Sequence, residues 1–225
     1  MDVLEEAGKK IVLLGNEAIV RGALEAGVGF VAAYPGTPSS EVPITFSRIA
    51  KKVGLYFEYS SNEKVAFEAA TGAAWSGVRA MTAQKHFGLN VAADSIPPVA
   101  MSGVRAGLVV MVADDPSGWS SAQSEQDTRY YARMFKMPML EPSNPQECLD
   151  FTKLAFDLSE EFQIPVFLRT TTKVSHSIGT VRLGEMKKPE VKGRFQKDPG
   201  RYYNLRPYLQ VLHERLNKKL EQIEE

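Results

Sequence analysis

Between Lys10 and Arg169 the apolar residues fall into two alternating patterns. Short β-rich runs predict strands at Ile11–Leu14, Phe30–Tyr34, Leu55–Glu58, Ala80–Ala83, Leu108–Ala113 and Val166–Arg169. Longer stretches at helical period predict helices at Asn16–Ala26, Ser39–Lys52, Glu63–Ser76, Asn90–Ser102, Thr128–Phe135 and Pro145–Phe162. The runs Phe30-Val31-Ala32-Ala33 and Val109-Val110-Met111-Val112 are continuously apolar, as in strands covered on both faces. Helix starts carry capping residues: Asn16 before Glu17, Ser39 before Glu41, Asn62 before Glu63, and Asn144 before Pro145. This alternation predicts an α/β fold, a doubly wound and mainly parallel sheet with helices on both faces.

Beyond Arg169 the pattern changes. From Thr170 to Tyr203 glycines, prolines and basic residues predict extended chain, with the arm proper over residues 177–203. A helical period then returns over residues 204–225, where Leu205, Leu209, Leu212, Leu216, Leu220 and Ile223 step by three and four. One apolar stripe between charged flanks predicts an amphipathic helix that packs on its own domain or on a partner. The expected organisation is therefore a domain over residues 1–176, an arm and a tail helix. No internal repeat or low-complexity stretch interrupts it.

Composition narrows the function classes. The 225 residues include 44% hydrophobic side chains, enough for a full core, and the 27 basic residues balance 27 acidic ones. No basic footprint for nucleic acid or an anionic membrane is present. The single cysteine, Cys148, excludes an internal disulfide, a cysteine-based zinc site and a self-contained iron–sulfur cluster. The most apolar window, Pro98 to Ala113, is interrupted by Arg105 and glycines and falls short of a membrane span. The start, MDVLEEAGKK, is acidic and lacks the basic and apolar regions of a secretory signal, so the cytoplasm is the expected location.

The residues with chemical potential gather where predicted strands run into helices. Glu63 opens a helix rich in small residues (Ala66, Ala69, Ala70, Gly72, Ala73, Ala74, Gly77), which lets neighbouring backbones approach closely. Taken alone, a first-turn glutamate complements the helix dipole and needs no further role. The loop Tyr34-Pro35-Gly36-Thr37-Pro38-Ser39-Ser40 joins a strand to a helix along a path fixed by two prolines and a glycine. From the residues alone it reads first as a rigid turn capped by Ser39, and second as an anion-binding loop. Lys85, His86 and Asn90 follow the strand at Ala80–Ala83, at the end where open α/β sheets bind ligands. Asp114-Asp115-Pro116 superficially suggests a metal site, but no histidine or third carboxylate stands at ligand spacing, so no metal ligand is expected.

Taken together these segments resemble a known family. The pieces are GNEAIVRGALEAGV (Gly15–Val28), YPGTPSSEV (Tyr34–Val42), NEKVAFEAATGAAWSGVRA (Asn62–Ala80), KHFGLNVAAD (Lys85–Asp94), ADDPSGWSSAQSEQDTR (Ala113–Arg129) and LRTTTKVSH (Leu168–His176). In that order they are similar to the pyrimidine-binding domain of thiamine diphosphate-dependent 2-oxoacid:ferredoxin oxidoreductases, of the indolepyruvate type. The resemblance implies oxidative decarboxylation of an aryl or other 2-keto acid to an acyl-CoA, with reduction of ferredoxin. It implies that Glu63 hydrogen-bonds N1′ of the cofactor's aminopyrimidine and activates it. Pro35, Gly36 and Asn90 are then expected at the cofactor, Thr37 and Lys85 at the substrate, and His86 at the substrate with a share in proton transfer. The family pattern departs at Ala83-Gln84, where a Thr-Met-like pair is expected, and this bears on the pocket wall.

The resemblance also implies what must come from elsewhere. There is no Gly-Asp-Gly motif to hold the diphosphate through Mg²⁺, and no cysteine-rich module for iron–sulfur clusters. Mg²⁺ and the clusters are expected from diphosphate-binding and iron–sulfur partner domains or chains, around a homo-oligomer within a hetero-complex. Either this sequence is part of a longer subunit or the enzyme is split, and the orderly tail favours the split form. The alternative to an enzyme subunit is a non-catalytic scaffold of the same fold that organises partner chains.

Overall fold

The computed structural model describes residues 3–120 and 124–224. Ser121–Gln123, inside the 113–129 motif, and Glu225 at the end of the expected tail lie outside the described residues. The described residues form eight strands: β1 (Lys10–Leu14), β2 (Phe30–Ala33), β3 (Tyr56–Tyr59), β4 (Ala80–Lys85), β5 (Leu108–Asp114), β6 (Met139–Leu140), β7 (Val166–Thr171) and β8 (Ile178–Arg182). The helices are α1 (Gly15–Glu25), α2 (Glu41–Val53), α3 (Glu63–Trp75), α4 (His86–Ala92), α5 (Ile96–Ser102), α6 (Arg129–Phe135), α7 (Pro145–Glu161), α8 (Thr172–Ser175), α9 (Pro199–Tyr202) and α10 (Tyr208–Glu224).

Strands β2 to β7 form one wholly parallel six-stranded sheet in the order β3-β2-β4-β5-β7-β6. All seven residues of β5 are buried, as its continuous apolar run requires of a central strand. Alternate side chains feed two cores. Met81, Ala83, Val109 and Met111 meet α1, α2 and α7 on one face, while Ala80, Leu108, Val110 and Val112 meet α3 to α6 on the other. Cys148 sits in the first core, and burial pushes its thiol up to about 12, so it is unreactive in the folded chain.

The structure revises three expectations from the sequence. The strand expected at Ile11–Leu14 does not join the main sheet. As β1 it pairs antiparallel with β8, a strand inside the region read as extended arm. The helix expected over Asn90–Ser102 is two helices, α4 and α5. Pro97 and Pro98 lack the N–H groups a continuous helix needs and instead occupy the first turn of α5. The two-residue β6 was not anticipated, because a strand that short leaves no periodicity to read.

The arm itself crosses the amino edge of the sheet. Lys187 N–H donates to Leu24 O at 3.2 Å and Arg194 N–H to Ser76 O at 2.7 Å. A side chain at Gly29 would overlap the Glu190 carbonyl, so the crossing is close. The arm delivers α10 to α5, where Leu212 and Leu216 are buried and Leu205 and Leu209 stay exposed. Leu220 and Ile223 line a groove beside α6 instead.

Candidate functional site

Strand β3 lies on one side of β2 and β4 on the other, and the helices that follow β2 and β4 pack on opposite faces. Their loops therefore part at the carboxyl edge and leave a crevice, the position where open α/β sheets take ligands. Into it come the loop after β2, the start of α3, the turn from β4 into α4, and the segments after β5 and β7.

Glu63 stands in the first turn of α3, whose cap Asn62 accepts Val65 N–H at 3.0 Å. Three other helices also carry a glutamate there, and all three are engaged. Glu17 accepts Leu14 N–H at 3.0 Å, Glu41 accepts Asn16 Nδ2 at 2.7 Å, and Glu147 accepts both Ser143 N–H and Oγ at 2.8 Å. Glu63, only 6% exposed, has no hydrogen bond or ion pair among the described residues. Its carboxylate lies against Gly88 of α4, where a methyl group would come within 2.7 Å of Cδ. Its oxygens are not among the fully enclosed unpartnered atoms, so a carboxylate with no internal partner is left facing the crevice, open to whatever fills it.

On the other face of β4 the loop after β2 turns tightly. The Thr37–Pro38 bond is cis, and Ser39 donates from both N–H and Oγ to Gly36 O. Pro35 and Thr37 are exposed towards the crevice edge, while Gly36 packs on Lys85, whose Cγ would lie 2.9 Å from an added Cβ. Lys85 also rests over the Phe87 ring at 5.2 Å. The structure thus brings Pro35, Gly36, Thr37 and Lys85 together on one side of the crevice and puts Glu63 with Gly88 on the other.

His86 and Asn90 are placed differently. The His86 ring is fully buried, with Nδ1 3.3 Å from Ala113 O and Nε2 3.1 Å from Ser124 O. Asn90 is exposed and two residues beyond Gly88, so the helical turn points it away from Glu63. It donates to Gln126 at 2.9 Å and accepts from the Tyr131 hydroxyl. Both residues tie down the segment after β5 rather than facing the Glu63 carboxylate.

The supports beneath these loops go beyond what sequence reasoning assigned, which took Asn16 only for a helix cap although it lies inside α1. Asn16, fully buried, donates Nδ2 to Pro38 O at 2.8 Å as well as to Glu41, and His176 Nε2 approaches Glu41 at 3.4 Å. Asp114 accepts Arg169 Nε at 2.7 Å and Thr128 N–H at 2.9 Å, and Arg169 also pairs with Glu141. Hydrogen bonding to Arg129 holds the Asp127 carboxyl down at about 2. Between these supports opens a cavity of about 690 Å³ that includes Trp119, Thr172, Lys173 and His176 in its lining. Among the described residues no group of three His, Cys, Asp or Glu side chains is arranged to hold a metal ion. No described helix is long and apolar enough to cross a membrane.

Comparison with known proteins matches residues 21–219 to the family model "Pyruvate flavodoxin/ferredoxin oxidoreductase, thiamine diP-bdg". The chain is 54% identical over 227 residues to indolepyruvate oxidoreductase subunit IorA of Thermococcus kodakarensis, covering 98% of this chain and 35% of that protein. It is also 54% identical over 223 residues to the IorA subunit of Methanothermobacter marburgensis, covering 99% of this chain and 36% of that one. Among solved structures it is similar to 2-oxoglutarate:ferredoxin oxidoreductase from Magnetococcus marinus, with a TM-score of 0.74 at 18% identity. That match covers 95% of this chain and 45% of the other and speaks to the fold. The chain spans about a third of the length of the IorA subunits it matches.

Proposed function

The chain belongs to the thiamine diphosphate-binding family of pyruvate flavodoxin/ferredoxin oxidoreductases, and from that premise we propose that it forms the pyrimidine-binding part of an indolepyruvate-type 2-oxoacid:ferredoxin oxidoreductase. The activity is oxidative decarboxylation of an aryl or other 2-keto acid to its acyl-CoA, with electrons passing to ferredoxin. Diphosphate-binding and iron–sulfur components supply the Mg²⁺ and clusters, and the working assembly contains more than one copy of this chain. The single observation that carries the reading is Glu63, the one first-turn glutamate among four that the described fold leaves unpartnered.

The residues present fit the cofactor. Gly88 gives the Glu63 carboxyl group room against α4, since a methyl group there would overlap its Cγ, Cδ and Oε1, and no described donor takes its oxygens, which leaves them to a ligand. When bound, thiamine diphosphate supplies the nucleophilic carbon and the electron sink for decarboxylation. Glu63 would hold the aminopyrimidine N1′ and share its proton at that atom. Pro35 and Gly36 would wall the crevice, with Gly36 letting Lys85 lie close. Thr37 and Lys85 would offer a hydroxyl and a cation to the keto acid's carboxylate. We assign His86 and Asn90 to fixing the segment from Ser124 to Gln126, since their polar atoms already meet it.

The test is the purified complex containing the whole subunit, offered indolepyruvate, phenylpyruvate, pyruvate and 2-oxoglutarate with coenzyme A and ferredoxin. The reading expects thiamine-dependent ferredoxin reduction with the aryl acids preferred. A complex that contains no thiamine diphosphate and reduces no ferredoxin with any of the four would point to the scaffold alternative.

A further inference from the structure

The penultimate residue of strand β4, Gln84, carries polar atoms that the described fold leaves unmet. Gln84 is completely buried, and among the described residues neither Oε1 nor Nε2 has a hydrogen-bond partner. Native cores rarely keep a buried amide in that state, because a leucine or methionine would fill the space without the desolvation penalty. Its direction follows from the register. Gln84 lies opposite Val112, and Val112 packs in the core beneath α3 and α4. The Glu63 carboxylate occupies the same layer, resting on Gly88 four residues beyond Gln84. Thr82, two residues back on the same face of β4, and Thr71 on α3 are also buried with unpartnered hydroxyls. Gln84 and Thr82 thus set unpartnered polar atoms on the face of β4 that packs under α3 and α4, a face otherwise apolar.

Donor and acceptor match. Glu63 can only accept when ionised, and the Gln84 amide offers two N–H groups. We infer that Gln84 is the positioning residue of Glu63: as a ligand engages one carboxylate oxygen, Gln84 Nε2 donates to the other and fixes its plane. A neutral donor suits this task, since it orients the carboxylate without competing for its proton. This inference rests on the proposed role of Glu63 in holding thiamine diphosphate. It also gives a physical use to the Ala83-Gln84 departure from the family pattern.

The experiment uses the full-length complex stripped of thiamine diphosphate, as wild type, Gln84→Leu, Glu63→Gln and the double variant. Gln84→Leu should raise the melting temperature of the stripped complex, because it removes two unmet polar atoms. The same substitution should weaken thiamine diphosphate binding at least tenfold by calorimetry, while KM for the keto acid at saturating cofactor stays within twofold. In the Glu63→Gln background it should add no further loss, since the residue acts through Glu63. Unchanged cofactor affinity in Gln84→Leu would overturn the inference and leave buried water as the amide's partner. Fully additive losses in the double variant would overturn it as well. If Gln84→Leu does not fold, Gln84→Met, nearly equal in volume to glutamine, carries the same predictions. A wild-type complex that fails to bind thiamine diphosphate would instead remove the reading of Glu63 on which this rests.

Discussion

The two edges of the main sheet treat buried polar groups in opposite ways. At the amino edge, Arg21 and Glu25 are buried charges with every need met inside the chain. Arg21 donates to Glu25 at 2.9 Å and to the carbonyls of Val3, Glu5 and Gly184, while Glu25 also accepts from Lys153 and Gly184 N–H. These bonds join the N-terminal segment, α1, α7 and the start of the arm into one unit. At the carboxyl edge, Glu63 has no partner, Gln84 has none at either end, and Asn16 Oδ1, Asp114 Oδ1 and Thr128 Oγ1 stand unpartnered. Saturation marks the edge that holds the molecule together. Unmet groups mark the edge that waits for something outside it.

The contrast is broken most forcefully at Glu63. Replacing it with Gln in the full complex should cut turnover by about 10²–10⁴-fold, the usual worth of a positioned acid–base group, while the melting temperature holds. Loss of both together would place Glu63 among the structural acids with Glu17 and Glu41. The opposite pattern is expected at the amino edge. Arg21→Met strips the buried carbonyls of Val3, Glu5 and Gly184 of a donor and leaves Glu25 with Lys153 as its one cation, so it should cost about 1–3 kcal/mol of stability, read by denaturant unfolding, with cofactor affinity of the folded complex unchanged.

Gly88→Ala sharpens the comparison because its two effects have opposite signs. Alanine favours a helix by about 1 kcal/mol over glycine, so α4 itself gains. The added methyl would push into the Glu63 carboxylate, so cofactor binding should fall about tenfold. A stabilised variant that binds normally would mean Glu63 has freedom to move aside.

The smallest effect lies far from either charge network. Burial, with Arg201 and Arg215 nearby, lowers Lys219 of α10 to about 8 from the ordinary lysine value of 10.5. Below about 8 the half-buried ammonium, which donates to Gln163 O at 2.8 Å, is carried into the docked state at a desolvation cost. Between about 8 and 10.5 only the detached state keeps the proton, so docking strengthens as pH rises through that window. Hydrogen exchange of the α10 amides, corrected for intrinsic rates, should show protection growing across it, and Lys219→Met should abolish the trend.

Much of the fold was legible because its signal is local. The uninterrupted apolar runs of β2 and β5, and the Asn62 and Asn144 caps of α3 and α7, stand where the pattern put them. What escaped is set by distant partners. Nothing in Ile11–Leu14 tells that it pairs with Ile178–Arg182 instead of the main sheet. The site divides along the same line. Glu63 drew notice by its position before a small-residue helix, yet four helices carry such an acid. Only the folded chain reveals that Asn16 and Ser143 occupy two of the others and leave this one alone. The resemblance places His86 and Asn90 at the ligand, and the polar contacts they make within the folded chain are with the segment after β5, 38 and 36 residues away, which no local pattern announces.

The most direct test is an experimental structure of the full complex with thiamine diphosphate bound. The account predicts the Glu63 carboxylate within about 2.6–3.2 Å of the aminopyrimidine N1′, a hydrogen-bond distance, with Gly88 beside it. A cofactor bound away from this crevice, with Glu63 still unpartnered against Gly88, would contradict it.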